Sequence, residues 1–245
     1  MANKIVSCRW GSVYTQEHVD KLYDRAKANC SVDFDFYCFD DIDNEEWKAA
    51  QKKHFRGLDD PDMRAQKEWS AFERDDCGGL THYRKFLMFD KDTELFNSDD
   101  TILFMDLDVL ILGDLSYFFD LDNEKPWLVK SYWFDGYIEK GQWQRQYYLR
   151  RCPYFNSSVQ VWKPGQNRVI FDMINDNLDK VFFQYGVNDN FLFHTFGPWT
   201  YEKEKREHFN VFDEGIITSQ KYCTDRGIIH SFEGYGMEDK KECWS

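Results

Sequence analysis

The stretch TILFMDLDVLILGDL, Thr101 to Leu115, constrains this chain more than any other. It reads as a buried strand, yet Asp106, Asp108 and Asp114 interrupt its apolar run. An unpaired ionised carboxylate in apolar surroundings costs on the order of several kcal/mol, or takes up a proton instead. A fold that buries this strand must therefore supply its acids with a partner. On a strand, residues two apart face the same side with Cα atoms roughly 6–7 Å apart, so Asp106 and Asp108 can aim at one point near the strand's end. A divalent cation there would offset both their repulsion and their desolvation, and Mg²⁺ and Mn²⁺ take oxygen-rich coordination often shared with substrate phosphates. The bland alternative is a pair of ordinary loop or cap acids just past the strand. Asp114, between Gly113 and LSYFF, reads as a helix N-cap.

The flanking segments supply a sheet for that strand to join. KIVSCRWG reads as a first strand ending at Gly11, and TQEHVDKLYDRAKANC as a helix with Val19, Leu22, Tyr23 and Ala26 on one face and Thr15 as N-cap. DFDFYCFDD alternates as a second strand ending in Asp40 and Asp41. Strand, helix, strand is the opening of a mainly parallel sheet with helices on its faces. Residues 42–80 read as polar and irregular, with turns at Pro61 and Gly78–Gly79, and LTHYRKFLMFD as a helix leading to the Thr101 strand. FNSSVQVWKPG reads as a strand closed by a Pro-Gly turn, and NRVIFDMINDNLDKVF as one amphipathic helix with Val169, Ile170, Met173, Ile174 and Leu178 on a shared face. VNDNFLFHTF reads as a short helix, and the tail as two short strands and a glycine-containing loop. The aromatics of 127–154 suit either a sugar-stacking acceptor surface or a packed helical pair. No repeat, linker or composition break divides the chain, so residues 1–245 form a single expected domain.

Charge and cysteine usage exclude several function classes. The net charge is −13 and no Lys or Arg run makes a basic stripe, which argues against nucleic acid as a partner. Binding an anionic small molecule would need a local cation or a metal. No stretch approaches the roughly 20 apolar residues of a membrane span, so no transmembrane segment is expected. MANKIVSCRWG lacks a secretory hydrophobic region, and seven cysteines form no CxxC pair. Those features suggest reduced thiols, a cytoplasmic location and no structural zinc.

Two enzyme families carry an Asp-x-Asp at a strand end. LFMDLDVL locally resembles the haloacid-dehalogenase-type phosphatases, with Asp106 as nucleophile and Asp108 as acid/base. That motif normally lies on the first strand, and the reading uses nothing in the first hundred residues. The second resemblance spans roughly residues 4–244. WGSVYTQEHVDKLYDRAKAN, FDFYCFDD, YRKFLMF, ILFMDLDVLILGDL, FNSSVQVW and IIHSFEG follow one another as in nucleotide-sugar glycosyltransferases of the GT-A fold. The chain is most similar to the glycogenin-like group (family eight-like) and its bacterial and viral cousins.

This second resemblance implies an α/β GT-A (Rossmann-like) fold and a metal-dependent transfer of sugar from a nucleotide-sugar donor, with UDP as the nucleotide, to a hydroxyl on a glycan or other acceptor. It implies Mn²⁺ or Mg²⁺ held by Asp106, Asp108 and His230, and retention of anomeric configuration. Trp10, Gly11 and Tyr14 are then expected at the base and ribose, with Asp41 hydrogen-bonding there. Arg84 or Lys85 matches a basic position near the donor phosphate, Leu107, between the two metal-binding acids, is expected among the donor-binding residues, and Gly234 lets backbone approach the phosphates. Lys240 or Lys241 stands where the family has a diphosphate-binding lysine, although the usual Gly-x-x-Lys-Pro-Trp ending is replaced by EGYGMEDKKECW. Asn156 falls beside the transferred sugar and Asp189 at the reaction centre, with Asn190 in place of the family's Gln. For each there is a structural alternative: core aromatics for Trp10 and Tyr14, a turn residue for Asp41, surface charges for Arg84 and Lys85, a strand-edge amide for Asn156, a structural imidazole for His230. A third reading is a sugar- or nucleotide-binding module without turnover. If no metal is bound, burial should raise the pKa of at least one of Asp106 and Asp108.

Overall fold

A computed structural model describes residues 2–10, 14–40, 44–56, 79–130, 155–185, 188–198, 200–219 and 227–231. Strand β1 (Asn3–Arg9) is buried from Lys4 to Cys8, as expected of a strand covered on both faces. Helix α1 (Gln16–Ala28) follows and turns Val19, Leu22 and Ala26 inward. It opens with a capping box in which His18 takes the place usually held by Glu or Gln: the Thr15 N–H donates to His18 Nδ1 at 3.1 Å. Strands β2 (Asp35–Asp40) and β3 (Thr101–Met105) flank β1, both parallel to it. Beyond β3 the sheet turns antiparallel through β6 (Phe155–Trp162) and β5 (Trp127–Lys130), and ends in β7 (Asn210–Val211), parallel to β5. The order is β2-β1-β3-β6-β5-β7, a mixed and mostly parallel sheet. A smaller sheet orders β4 (Val109–Ile111), β9 (Ile229–Ser231) and β8 (Ile217–Ser219) as β4-β9-β8.

Two apolar layers cover the six-stranded sheet. Phe104, Leu128 and Trp162 on one face join Phe86, Phe89, Phe171, Phe182 and Phe191. Leu103, Met105, Val159 and Val161 on the other join Val19 and Leu22 of α1 and Val109 and Ile111 of β4.

Several elements differ from the sequence expectation. Helix α2 (Glu45–Arg56) occupies part of the segment expected to be irregular. Trp47 and Ala50 are the described residues through which it meets the core. Trp47, 2 % exposed, stacks on Phe171 with ring centroids 5.5 Å apart and donates from Nε1 to Asn175 Oδ1 at 3.1 Å. LTHYRKFLMFD begins as a 3-10 helix (Gly79–Leu87) and becomes α-helical only in α3 (Met88–Leu95). After the short helix α4 (Ser116–Phe119), the expected long amphipathic helix proves to be two, α5 (Arg168–Asn175) and α6 (Leu178–Tyr185). Asn175, Asp176 and Asn177 divide them. The Asn177 N–H falls back to Ile174 O, and its amide donates to Met173 O at 3.1 Å, the local competition with helix bonding typical of Asn and Asp. The buried face of α5 is Ile170, Phe171 and Ile174, while Val169 is exposed. Helices α7 (Asn188–Phe196) and α8 (Lys203–Arg206) complete the described set. Within 127–154, the first four residues are strand β5, and 131–154 lie outside the described residues.

The N-cap of α4 is Leu115, and Asp114, expected in that role, sits one residue earlier and binds two segments together. Its Oδ1 accepts from the Ser116 N–H at 2.9 Å and the Ser31 N–H at 3.0 Å, and its Oδ2 from the Ser31 hydroxyl at 2.6 Å. The carboxylate ties the loop after α1 to the start of α4, and those donors hold its pKa well below the usual range.

Candidate active site

Strand β3 ends at Met105, and the chain turns through Asp106, Leu107 and Asp108 before entering β4 of the other sheet. The two acids therefore sit in a turn between sheets rather than on a strand, and strand periodicity does not set their separation. The Leu107 side chain, expected at the donor, instead packs into the apolar layer beneath and is 2 % exposed, which leaves the flanking aspartates half-buried at the surface of the turn. The Asp106 N–H donates to Ser158 O at 2.9 Å, extending the β3–β6 ladder by one rung.

The partner demanded by the buried acid is Lys85. It projects from the 3-10 helix, is 3 % exposed, and places Nζ 2.8 Å from each Asp106 oxygen. Its Nζ also lies 3.5 Å from Ser157 O and 5.4 Å from the centroid of the Phe104 ring. Burial works against the ammonium, but Asp106 and Asp189 outweigh it and its pKa ends up raised. Burial lifts the Asp106 carboxyl to about 6, assisted by neighbouring Asp108 and opposed by Lys85. Burial likewise raises Asp189, against the pull of Lys85 and hydrogen bonds from Ser157. Tyr14 lies close to Asp108, and burial followed by the charges of Asp108 and Asp106 drives its phenol well above the ordinary value.

Strand β6 brings in the other acid through an irregularity. Leu128 of β5 faces Gln160, but the next residue, Val129, faces Asn156, so residues 157–159 bulge out of register. In that bulge the Ser157 hydroxyl lies 2.6 Å, and its N–H 3.2 Å, from Asp189 Oδ1. Asp189 itself rides on the first turn of α7. Asn156, 4 % exposed, turns its side-chain oxygen onto the Ser158 N–H at 2.9 Å.

No family profile matches the sequence, and no curated protein does. Solved structures do match. A glycosyltransferase involved in glycosylation of the major capsid of PBCV-1 aligns over 100 % of this chain and 98 % of its own, with a TM-score of 0.53 at 12 % identity. The galactosyltransferase LgtC, in complex with donor and acceptor sugar analogues, aligns over 94 % and 87 % with a TM-score of 0.57 at 13 % identity. The fold is that of the GT-A glycosyltransferases.

On this GT-A frame, Lys85, Asp106 and Asp189 converge in one buried network, with Asp108 in the same turn, Tyr14 close to Asp108, and Asn156 at the start of the bulge that reaches Asp189. Of the basic pair, Lys85 reaches the acid, and Arg84 is the half-buried residue before it. Trp10 packs partly buried against the core layer that contains Val6 and Cys8. Asn190 is buried and donates to Tyr185 O at 3.2 Å, fastening α7 to the end of α6. His230 occupies β9 opposite Leu110, two residues beyond Asp108, and nothing is described of its side chain. Gly11, Asp41, Gly234, Lys240 and Lys241 lie outside the described residues. Ser157 and Asn188 are network members that sequence reasoning passed over; their signal was a polar pair, Ser157–Ser158, inside a strand, and an amide beside Asp189.

Proposed function

We propose that the chain is a glycosyltransferase that moves a sugar from a nucleoside diphosphate donor, with UDP as the nucleotide, to a hydroxyl of a glycan or other acceptor. The observation that carries this reading is the convergence of the Asp106–Asp108 turn, Lys85 and Asp189 at the end of β3. In open α/β sheets, ligands bind at the carboxyl ends of strands, and β1 and β3 run parallel toward this same edge.

The donor set suits a hard divalent cation, Mn²⁺ or Mg²⁺. A carboxylate offers about four lone-pair sites, and the Lys85 ammonium engages each Asp106 oxygen only once. The raised Asp106 pKa reflects burial beside Asp108, a burden that a dication would relieve. Asp106 and Asp108 would hold the ion, with His230 the third donor expected from the resemblance. Among the described residues no cluster of three ligating side chains exists, so the third ligand is part of the proposal. When bound, the ion supplies charge neutralisation to the departing diphosphate.

The protein's own groups do the rest. Lys85 holds Asp106 in its carboxylate form and fixes its orientation through both oxygens. In this reading Asp189, whose carboxyl feels the charge of Lys85, addresses the donor sugar, and Asn156 hydrogen-bonds its hydroxyls. Retention of configuration belongs to this reading by resemblance to the glycogenin-like group.

Titration calorimetry with UDP and GDP, with and without Mn²⁺, followed by assay of UDP release from UDP-sugars, tests the proposal. Metal-dependent UDP binding with sugar transfer or donor hydrolysis is expected. Absence of binding to either nucleotide would overturn it, as would phosphoester hydrolysis abolished in Asp106→Asn without any sugar release. Binding without turnover would point to a sugar-nucleotide binding module.

A further inference from the structure

We infer that Ser157 is a positioning residue for Asp189, gripping one carboxylate oxygen so that the other is presented to substrate. What that substrate is rests on the glycosyltransferase reading above; the grip itself is a matter of geometry. Ser157 is 2 % exposed, and each of its polar groups is engaged. Its N–H and hydroxyl both meet Asp189 Oδ1, at 3.2 and 2.6 Å. Its carbonyl accepts from Gln160 Nε2 at 3.1 Å and lies 3.5 Å from Lys85 Nζ. The hydroxyl also takes a hydrogen bond from Asn188 Nδ2 at 2.7 Å.

That last bond decides where the hydroxyl proton goes. An amide nitrogen only donates, so Asn188 fills an acceptor site on Ser157 Oγ and the serine proton turns to Asp189. Asp189 Oδ1 must then be an acceptor, and both donors come from one residue. Among the described residues, Oδ2 takes no hydrogen bond. A carboxylate gripped by two donors at one oxygen leaves its second oxygen available to substrate. The β6 bulge is what makes this possible. In regular register the Ser157 peptide would bond to β5, whereas here Gln160, three residues along, holds the carbonyl and the N–H turns to α7. The same peptide carbonyl faces Lys85, so Ser157 joins the Asp189 end of the network to the Asp106 end.

Among the described residues, the titratable groups electrostatically coupled to Asp189 are Lys85 and Tyr83, both from the 3-10 helix; Ser157 and Asn188 are neutral. Loss of the Ser157 hydroxyl removes no charge and takes from Asp189 its shortest described hydrogen bond.

The test is Ser157→Ala beside Ser157→Thr, read by donor KM, kcat, the acid limb of the pH profile, and ¹³C resonance titration of the Asp189 carboxyl, identified by its disappearance in Asp189→Asn. Ser157→Ala is expected to lower kcat roughly 10- to 100-fold with donor KM within about twofold, and to move both the acid limb and the Asp189 titration to higher pH. Ser157→Thr, which keeps the hydroxyl, should return kcat to within about threefold of wild type. If Ser157→Ala fails to fold, Ser157→Cys, close in size but only a weak donor, must show the same upward titration shift. An unmoved Asp189 titration, or a fall in melting temperature with kcat and acid limb unchanged, would overturn the inference. If the wild-type protein transfers and hydrolyses no sugar donor, the glycosyltransferase reading falls, while the Asp189 titration still decides the role of Ser157.

Discussion

Lys85 and Asp106 form an ion pair in which one buried ammonium lies 2.8 Å from both oxygens of a half-buried carboxylate. The pair answers the burial problem posed by an acid at the end of an apolar strand. Its two members come from elements 21 residues apart, a 3-10 helix and an inter-sheet turn.

Lys85→Met removes the positive partner and leaves Asp106 half-buried beside Asp108. Breaking a buried pair from one side costs about 3 kcal/mol, less whatever Asp106 recovers by taking up a proton. Urea denaturation at pH 7 should show that loss. The double variant Lys85→Met/Asp106→Asn, with no charge left to strand, should regain more than half of it. If the double variant is as unstable as the single, the cost lies in packing around the lysine stem rather than in the unpaired acid.

Mn²⁺ should stabilise the native protein through Asp106 and Asp108. At a free ion concentration of about 100 times Kd, linkage adds about 2.7 kcal/mol, visible as a rise in melting temperature that disappears in Asp108→Asn. Because the ion competes with a proton on Asp106, whose pKa stands near 6, the shift should shrink as pH is lowered from 7 to 5. A shift equal at both values, or retained in Asp108→Asn, would place the ion elsewhere.

Strong periodicity made much of this fold legible. The Thr101 strand, the two flanking strands, α1 and the short helix bearing Asp189 all lie where apolar spacing placed them. Asp106 and Asp108 stood out because charge inside an apolar run demands explanation, and Lys85 was half of a two-residue choice. Ser157 was hidden for a physical reason: its role depends on a bulge, and a bulge is set by pairing with β5, which no local pattern records. The break between α5 and α6 was masked by apolar periodicity that continues across Asn175–Asn177 on both sides.

Helix α2 was missed because its sequence is mostly charged and polar, yet Trp47 anchors it to the core, and that residue is open to test. Trp47 stacks on Phe171, meets Phe182 edge-on at 6.1 Å, and hydrogen-bonds Asn175. Trp47→Ala should cost about 3–5 kcal/mol. Trp47→Phe, which keeps ring packing but loses the indole N–H, should cost about 1 kcal/mol from the missing hydrogen bond, plus a cavity term. Amide exchange of the α2 backbone should accelerate in the alanine variant well before that of β1. Equal acceleration in both would mean that α2 unfolds only with the whole protein.

His208 should make stability fall in mild acid. Its ring is wedged among Phe196 and Phe209, with centroids 4.9 and 4.5 Å away, and Nε2 lies 3.3 Å from Asn167 Oδ1. Burial, with a smaller contribution from Lys125, depresses its pKa from 6.5 to about 4. Between those values the unfolded chain binds a proton that the native protein refuses, so native stability rises with pH across this window and falls as pH drops. The loss begins near pH 6.5, is complete below pH 4, and amounts to up to about 3 kcal/mol. Asp106, with its raised pKa, acts in the opposite direction between about 4 and 6, so the contribution of His208 is read as a difference between proteins. Wild type and His208→Phe, denatured side by side at pH 7.5 and pH 4, isolate it: the gap in unfolding free energy should shift by about that amount in favour of the variant at the lower pH. A gap that stays constant would mean that the native fold admits the imidazolium.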